Sequence, residues 1–172
     1  VGIAQTGTGK TFAYMLPILR DFSFLKTQHP RILVLVPTRE LVIQAVEDIQ
    51  KLAKYLNMRI LGVYGGVNIN TQKQGIAQGQ DIIVATPGRL YDLALSNVLK
   101  LKTIQKLVID EVDVMLDLGF RFQLMNIFDL LPEKRQNILF SATMTEDVDA
   151  LIDDFFKNPE KISVAVSGTP LD

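Results

Sequence analysis

The sequence contains no cysteine, and this absence excludes a disulfide framework and a metal site built on thiolates. It has one histidine, His29, which leaves no zinc-ligand spacing and no Ser–His–Asp arrangement to consider. We expect His29 to be an exposed loop residue. The longest apolar run, residues 32–36, is far shorter than the ~20 residues that a membrane-spanning helix needs. No secretory signal is visible at the amino terminus, and the composition agrees with a cytoplasmic protein.

The chain also lacks an excess of positive charge. It contains 18 Lys and Arg residues and 19 Asp and Glu residues, which gives a net charge of −1, whereas many nucleic-acid-binding domains are basic. Any binding of nucleic acid therefore has to be local, through a few cationic side chains and backbone N–H groups. With 172 residues, 48% of them hydrophobic and 22% charged, the chain suits one folded domain.

Short apolar runs alternate with helical patterns along the chain. The runs are rich in Val and Ile and lack polar alternation, which predicts strands buried on both faces. They cover residues 32–36, 60–64, 81–85, 106–110, 137–140 and 161–166. Segments between them, such as 39–56 and 146–156, repeat apolar residues at helical spacing. The alternation predicts an α/β fold with an open, mostly parallel sheet and helices on both faces.

A glycine-rich segment near the amino terminus is typical of a phosphate-binding loop that leads into a helix. It reads Ala4, Gln5, Thr6, Gly7, Thr8, Gly9, Lys10 and Thr11. The glycines let backbone N–H groups approach phosphate oxygens, while Lys10 suits the β- and γ-phosphates and Thr11 suits Mg²⁺. Ala4 stands where the general pattern has glycine, so an ordinary turn before a helix stays as the alternative. In the helix that follows, we expect a kink or an early stop at Pro17.

Acidic residues close the apolar run at 106–110 and continue after it. Asp110 and Glu111 come first and Asp113 follows, at the end of a parallel strand where ligands bind in such sheets. Phosphoryl transfer needs Mg²⁺ beside the phosphates and a group that orients the attacking water. Asp110 suits the metal role, and Glu111 suits the role of a water-positioning general base. A strand end entering a solvated turn is the alternative, which the phosphate loop upstream disfavours.

These two motifs and four further segments resemble those of the DEAD-box RNA helicases, and they occur in the family's order. The further segments are Pro37-Thr38-Arg39-Glu40-Leu41 followed by Gln44, Gly65-Gly66, Thr86-Pro87-Gly88-Arg89-Leu90, and Ser141-Ala142-Thr143. The resemblance implies the first RecA-like, P-loop ATPase domain of an ATP-dependent RNA helicase. It departs from the family at Val42 and Val112, each of which stands where alanine is usual; we expect function to survive the change at Val112, which adds no charge.

The resemblance also implies roles for individual residues. Lys10, Asp110 and Glu111 would carry catalysis, while Ser141 and Thr143 would couple ATP use to strand separation through a hydrogen bond to Asp113. An RNA-backbone track, independent of base sequence, would be lined by Thr38, Arg39, Gly66, Thr86, Gly88 and Arg89. Each of two track residues has a structural alternative to RNA contact. Thr86 would be the N-cap of a helix that begins near Arg89, and Arg39 would pair with a carboxylate. Gly119-Phe120 also resembles a segment of the family. We interpret Phe120 and Phe122 as core aromatics.

Two parts of such a helicase are not recognised in this sequence: the glutamine-containing segment that reads adenine, and the second RecA-like domain with its arginine fingers. We therefore expect residues 1–166 to be an ATP-binding domain shortened at its amino terminus, with an interdomain linker starting at 167–172. The implied ligands and partners are ATP, Mg²⁺, RNA and a C-terminal RecA-like domain, with no membrane, in a monomer. Without arginine fingers, this chain alone should bind nucleotide weakly and hydrolyse it very slowly. A DNA helicase or translocase of the same superfamily is the alternative.

Overall fold

Strands and helices alternate in the computed structural model, which describes residues 1–5, 7, 9–23 and 27–163. The strands are β1 (Gly2–Ile3), β2 (Ile32–Leu35), β3 (Ile60–Val63), β4 (Ile82–Ala85), β5 (Lys106–Ile109), β6 (Gln136–Ser141) and β7 (Ile162–Ser163). The helices are α1 (Lys10–Arg20), α2 (Arg39–Leu52), α3 (Ile69–Ala77), α4 (Pro87–Leu95), α5 (Val112–Asp117), α6 (Arg121–Leu130) and α7 (Glu146–Phe155), with a 3₁₀ turn at Leu101–Thr103. The proposed linker and residues 164–166 of the last predicted strand lie outside the described residues.

The strands form one open sheet in the order β3-β4-β2-β5-β6-β1-β7. Every strand pair within the described ranges is parallel, which confirms the predicted sheet type. Because the strands run in one direction, their carboxyl ends all meet at the same edge of the sheet. Ligands bind at this edge in open α/β sheets.

Each central strand sends alternate side chains into two separate apolar cores. Ile32 and Val34 of β2 pack on the side that also buries Tyr14 of α1 and Ile49 of α2. Leu33 and its alternate neighbours pack on the opposite side, against α4, α5, α6 and α7. This alternation explains why the strands read as continuous apolar runs, and it confirms helices on both faces of the sheet.

Two helices differ from the sequence-based expectations. Helix α2 ends at Leu52 and not at residue 56, because the N–H groups after Ala53 bond three residues back, Lys54 to the Lys51 carbonyl at 3.4 Å and Leu56 to the Ala53 carbonyl at 2.8 Å. Helix α1 continues past Pro17 to Arg20, so Pro17 does not stop it early. The short segment before the phosphate loop is a strand, and Gly2 is required there because a Cβ would lie 2.6 Å from the ring of Phe140.

Among the described residues, no helix is both long enough and apolar enough to cross a lipid bilayer.

An ion pair ties the amino ends of β3 and β4 together at the edge of the sheet opposite the strands' carboxyl ends. Nε and Nη2 of Arg59 donate to the two carboxylate oxygens of Asp81 at 3.1 and 3.0 Å, and the Arg59 backbone N–H donates to the same carboxylate at 2.8 Å. Burial by itself raises the pKa of Asp81, but the hydrogen bonds from Arg59 outweigh it, and the pKa lies below its usual value. Asp81 therefore stabilises the fold in its ionised form.

Replacing Asp81 with asparagine should lower the free energy of unfolding by about 1–3 kcal/mol at pH 7, because charge-assisted hydrogen bonds to a buried carboxylate are lost. The lower half of this range is favoured because the Arg59 side chain is 38% exposed and solvent screens it. The pKa of Asp81 is lower in the folded protein than in the unfolded one, so its carboxylate stabilises the fold at pH values above the unfolded pKa. This contribution is lost as the pH falls through the folded-state pKa. Urea unfolding should thus show that the free energies of unfolding of the unchanged protein and of Asp81→Asn approach each other as the pH is lowered. A difference that persists undiminished at low pH would contradict this account.

Candidate functional site

The carboxyl edge of the sheet gathers the sequence motifs into two adjoining groups. The phosphate loop follows β1, the acidic residues follow β5, and Ser141 to Thr143 end and follow β6; these three strands are neighbours in the order β5-β6-β1. The residues proposed for an RNA track follow β2, β3 and β4, which form the adjoining part of the sheet. The strand order thus places the residues proposed for the RNA track next to the residues proposed for nucleotide binding.

The phosphate loop has the backbone shape that phosphate binding requires. Gly7 and Gly9 have φ angles of +80° and +77°, and a Cβ built on either would meet no atom of the described residues within 4 Å. The glycines are therefore needed for their left-handed backbone, and the space beside them is open. Gly9 is the N-cap of α1 and has no side chain to cap it, so the first N–H groups of the helix are left to a ligand. Thr6 and Thr8, also predicted to bind the nucleotide, lie outside the described residues.

Lys10 and the two acidic residues after β5 form a buried charge cluster below this loop. The Lys10 ammonium lies 3.0 Å from an oxygen of Asp110 and 3.9 Å from an oxygen of Glu111. All three residues are at least nine-tenths buried, and the ammonium and Asp110 Oδ1 approach each other without the alignment of a hydrogen bond. One cation and two carboxylates leave a net negative charge. This arrangement favours a further cation and positions an ammonium that phosphate oxygens can share.

The residues present suit a magnesium ion that is completed by phosphates. No group of three or more His, Cys, Asp or Glu side chains in the described ranges is placed to hold a metal alone. Mg²⁺ is usually held by one or two carboxylates together with substrate phosphates and water. Thr11 and Asp110 line one cavity and so offer the hydroxyl and the carboxylate for such a site.

The backbone of Glu111 is held in a conformation that is rare for its residue type. Its φ and ψ are 56° and 48°, the left-handed region, at the residue where β5 turns into α5. Such a conformation costs on the order of 1–3 kcal/mol in a non-glycine residue and is concentrated at functional sites. It directs the chain so that Glu111 and Asp110 both reach the same cavity.

That cavity has room for water beside the carboxylates. Its volume is ≈ 40 Å³, and its polar lining consists of Thr11, Tyr14, Gln44, Asp110 and Glu111. A water molecule needs roughly 10–15 Å³ measured this way, together with polar partners, and both conditions hold here. Burial raises the pKa of the Tyr14 hydroxyl well above its ordinary value, so this group stays protonated and can donate a hydrogen bond. Tyr14 was not recognised from the sequence, because helical spacing shows only that it faces inward.

A second polar contact joins the turn after β5 to the end of β6. The backbone N–H and the hydroxyl of Thr143 both donate to Asp113 Oδ2, at 3.0 and 2.9 Å. The predicted hydrogen bond from Thr143 to Asp113 is therefore present. Ser141 behaves differently, because its hydroxyl donates to the carbonyl of Thr143 at 2.6 Å and not to Asp113. The other oxygen of Asp113 is buried without a hydrogen-bond partner among the described residues.

Arg89 is held by the loop that follows β3 and by the first turn of α3. Its two terminal nitrogens donate to Gln72 Oε1 at 2.8 Å and to the Val67 carbonyl at 3.0 Å. The amide nitrogen of Gln72 in turn donates to the Tyr64 carbonyl at 3.1 Å. These bonds join the Gly65-Gly66 turn to the start of α4. The sequence pattern did not single out Gln72, whose only signal is a polar side chain at a buried helical position.

The remaining track residues differ in exposure. Arg39 is exposed, and its guanidinium lies 5.2 Å from the centre of the Tyr64 ring; within the described ranges it forms no ion pair with a carboxylate. Thr38 caps α2 by accepting from the Leu41 N–H at 3.3 Å. Gly66 is exposed with a φ of +81°, and Gly88 is half-buried. Thr86 is buried and precedes α4, which begins at Pro87 and not near Arg89, and its side chain makes no capping hydrogen bond.

The interpretation of both phenylalanines as core residues is wrong for one of them. Phe120 packs against the core, and a Cβ on Gly88 would lie 3.8 Å from its ring. Phe122 is 67% exposed, because it lies on the outer side of α6. His29 is half-buried and not fully exposed as expected.

Known proteins share both the sequence pattern and the fold. The family model for the DEAD/DEAH box helicases matches residues 1–151. The pre-mRNA-processing ATP-dependent RNA helicase prp-5 of Neurospora crassa is 44% identical over 95% of this chain and 14% of its own length. The DEAD-box ATP-dependent RNA helicase CshA of Streptococcus pneumoniae is 41% identical over 96% of this chain and 31% of its own length. The chain thus spans less than a third of these relatives.

Solved structures give the same result. The yeast DEAD-box splicing factor Prp28 superimposes with a TM-score of 0.90 at 33% identity, covering 98% of this chain and 42% of that one. A hypothetical ATP-dependent RNA helicase from Sulfolobus tokodaii superimposes with a TM-score of 0.86 at 36% identity, covering 95% of this chain and 47% of that one.

Proposed function

Because this chain belongs to the DEAD/DEAH box helicase family, we propose that it is the ATP-binding domain of an RNA helicase. In the whole protein, RNA binding would stimulate ATP hydrolysis, and hydrolysis would accompany local separation of an RNA duplex. The observation that carries the proposal is the buried cluster of Lys10, Asp110 and Glu111 under an open phosphate loop. The same sheet edge holds exposed Arg39 and Gly66, which suit an RNA backbone.

Each residue of the cluster has a distinct proposed task. Lys10 moves its ammonium from Asp110 to the β- and γ-phosphate oxygens when ATP binds, so it exchanges one anionic partner for another. Thr11 and Asp110 would hold Mg²⁺, partly through water, and the ion supplies positive charge beside the phosphates when bound. Glu111 orients the attacking water in the adjoining cavity and accepts its proton.

The proposed RNA track reads the backbone and not the bases. Guanidinium groups and unblocked backbone N–H groups bind phosphate oxygens, which carry no sequence information. Arg39 and Gly66 are accessible for such contacts, whereas buried Thr86 would act by shaping the turn before α4. Arg89 already bonds to Gln72 and Val67, so its contribution includes holding the turn near Gly66.

The proposal includes a partner domain on the same polypeptide. Arginine fingers from a second RecA-like domain would complete the site over the phosphates, and such groups are worth roughly 10³–10⁵ in rate. Residues 1–172 alone would then bind nucleotide weakly and turn it over very slowly, as a monomer. A cytoplasmic location, suggested by the cysteine-free composition, is part of the proposal and is testable by cell fractionation.

The first experiment compares ATP hydrolysis by the full-length protein without nucleic acid, with single-stranded RNA and with single-stranded DNA of the same length. We expect RNA to stimulate turnover and DNA to leave it near the basal rate. The physical reason is that the 2′-hydroxyl is a hydrogen-bonding group that DNA lacks. Equal or greater stimulation by DNA would overturn the RNA assignment in favour of a DNA translocase, while the nucleotide site would be unaffected.

The contact between Asp113 and Thr143 predicts a variant that separates ATP use from unwinding. Replacing Thr143 with valine removes the hydroxyl donor to Asp113 but keeps the backbone N–H bond and the side-chain shape. We expect duplex unwinding to fall about tenfold or more, since losing a hydrogen bond to a charged group is worth about 1.5–3 kcal/mol. RNA-stimulated ATP hydrolysis should change only a few-fold. Thr143→Ser keeps the hydroxyl and is the matched control; equal loss of both activities in Thr143→Val would argue against a coupling role.

A further inference from the structure

A basic cavity lies at the edge of the sheet opposite the candidate nucleotide site. Its volume is ≈ 380 Å³, and His29, Arg31, Lys102 and Lys134 contribute to its lining. Arg31 directly precedes β2, and Lys134 lies shortly before β6, so the cavity sits at the amino ends of these strands. None of the described residues that line it is Asp or Glu. The positive charge here contrasts with the net negative charge of the whole chain.

Arg31 is the central feature because two of its donor atoms are buried without a hydrogen-bond partner, although its positive charge also helps to lower the pKa of Asp81. The residue is 4% exposed, and its Nε and Nη2 have no hydrogen-bond partner in the part of the chain that the structure describes. The nearest acidic residue along the sheet is Asp81, whose backbone carbonyl accepts from the Arg31 N–H at 3.1 Å. Both carboxylate oxygens of Asp81 are already bound by Arg59. A buried cation without an acceptor is costly, and an anion in the cavity would remove that cost.

Packing against an aromatic ring does not account for these free donors. The guanidinium carbon of Arg31 lies 4.0 Å from the centre of the Phe22 ring, which explains why the side chain is covered. A ring under the flat face contacts the π surface of the guanidinium, whereas its N–H groups point outward in the plane. The ring is therefore not an in-plane acceptor for these donors, which lie covered at the wall of the cavity and reach a bound anion only after a small shift of the side chain.

The surrounding side chains add donors and hold Arg31 in place. The Arg31 carbonyl accepts from the Gln105 N–H at 2.8 Å, which fixes its backbone between β4 and β5. Lys102 donates to the Leu131 carbonyl at 3.2 Å, so its ammonium is tethered at the cavity wall. Lys134 is exposed and free to move toward a ligand. The cavity thus combines one fixed planar donor with two ammonium groups.

We propose that this cavity is a second anion site, which binds the phosphate group of a ligand independently of the candidate nucleotide site. A planar guanidinium supported by ammonium groups is the donor set that phosphate oxygens prefer. The volume falls within the range of small-ligand sites. The four-residue strand β5, on the order of 13 Å long, separates it from the carboxyl edge. The phosphate could belong to a free oligophosphate or to an RNA backbone.

Site-resolved NMR of the full-length protein tests this proposal with inorganic pyrophosphate as the probe. Pyrophosphate should shift the backbone amide signals of Gln105 and Lys134 in a saturable way, separately from any response of Gly9. Arg31→Met, which keeps an apolar stem over Phe22, and Lys134→Glu should each weaken the affinity seen at Gln105 tenfold or more. The response at Gly9 should stay unchanged. Lys54→Glu, which reverses an exposed charge that is not among the lining residues of the cavity, is the matched control.

Two results would overturn the proposal: no saturable shift at Gln105 and Lys134, or an equal loss of affinity in Lys54→Glu, which would indicate general surface attraction. Lys134→Glu keeps the test decisive if Arg31→Met does not fold. Adding single-stranded RNA then identifies the source of the phosphate. Displacement of pyrophosphate at Gln105 supports an RNA backbone, and lack of displacement supports a free oligophosphate.

Discussion

Replacing Lys10 with alanine is expected to reduce ATP turnover about 100- to 1,000-fold, the usual loss when a preorganised donor to developing charge is removed. Lys10 supplies the ammonium that lies 3.0 Å from Asp110 under the phosphate loop. Nucleotide affinity should fall with turnover, since the same ammonium would contact the phosphates before and during reaction. Steady-state hydrolysis and equilibrium binding of a fluorescent ATP analogue measure the two effects. Undiminished turnover would remove Lys10 from the proposed mechanism.

The same substitution should also destabilise the folded protein. It leaves the buried carboxylates of Asp110 and Glu111 without a counter-ion, and removing one partner of a buried pair costs about 3–5 kcal/mol. Adding Asp110→Asn to Lys10→Ala should restore part of the stability without restoring turnover. Because the double variant also lacks Asp110, its stability tests only the ion pair; the folded fraction of Lys10→Ala itself, taken from urea unfolding, distinguishes a protein that is inactive because it unfolds from one that lacks a catalytic group. Lys54→Ala, which removes an exposed ammonium, is the control and should alter neither property.

Replacing Glu111 with glutamine is expected to lower ATP turnover by a factor of about 10²–10⁴, the usual contribution of a general base. The amide keeps the size and much of the hydrogen bonding of the carboxylate, but it cannot accept a proton from the attacking water. Nucleotide binding should change by less than about threefold, because Lys10 and the loop backbone remain. Glu111→Gln is therefore expected to differ from Lys10→Ala by retaining affinity.

Single-turnover hydrolysis together with nucleotide binding measures this difference. Glu133→Gln is a suitable control, since it makes the same chemical change at an exposed position. A Glu111→Gln protein that hydrolyses ATP at the normal rate would exclude Glu111 as the base. Loss of binding with no separate effect on the chemical step would instead assign it a structural role at the β5–α5 turn.

Local patterns in the sequence were sufficient for the fold class and for the motifs. Runs such as 32–36 lack polar alternation because β2 is buried on both faces, so the sequence carries the signature of a parallel sheet directly. The phosphate loop and the acids after β5 are contiguous segments, and their chemistry depends on residue type and spacing. Element ends were less accurate, as at α2, because the turn after Ala53 depends on contacts that a helical period does not record.

Only the tertiary structure decided which separate segments meet and which charges find partners. It brought Lys10 beside Asp110 because β1 and β5 both flank β6, and it joined Thr143 to Asp113 but directed Ser141 elsewhere. It also left Arg31 buried without an acceptor while Arg59 took the nearby carboxylate. The sequence by itself determined which segments form strands and helices, though not where α2 ends, and which chemical groups they carry, because these depend mainly on neighbours along the chain. Long-range pairing depends on strand order and side-chain packing, which arise only when distant segments come together in space.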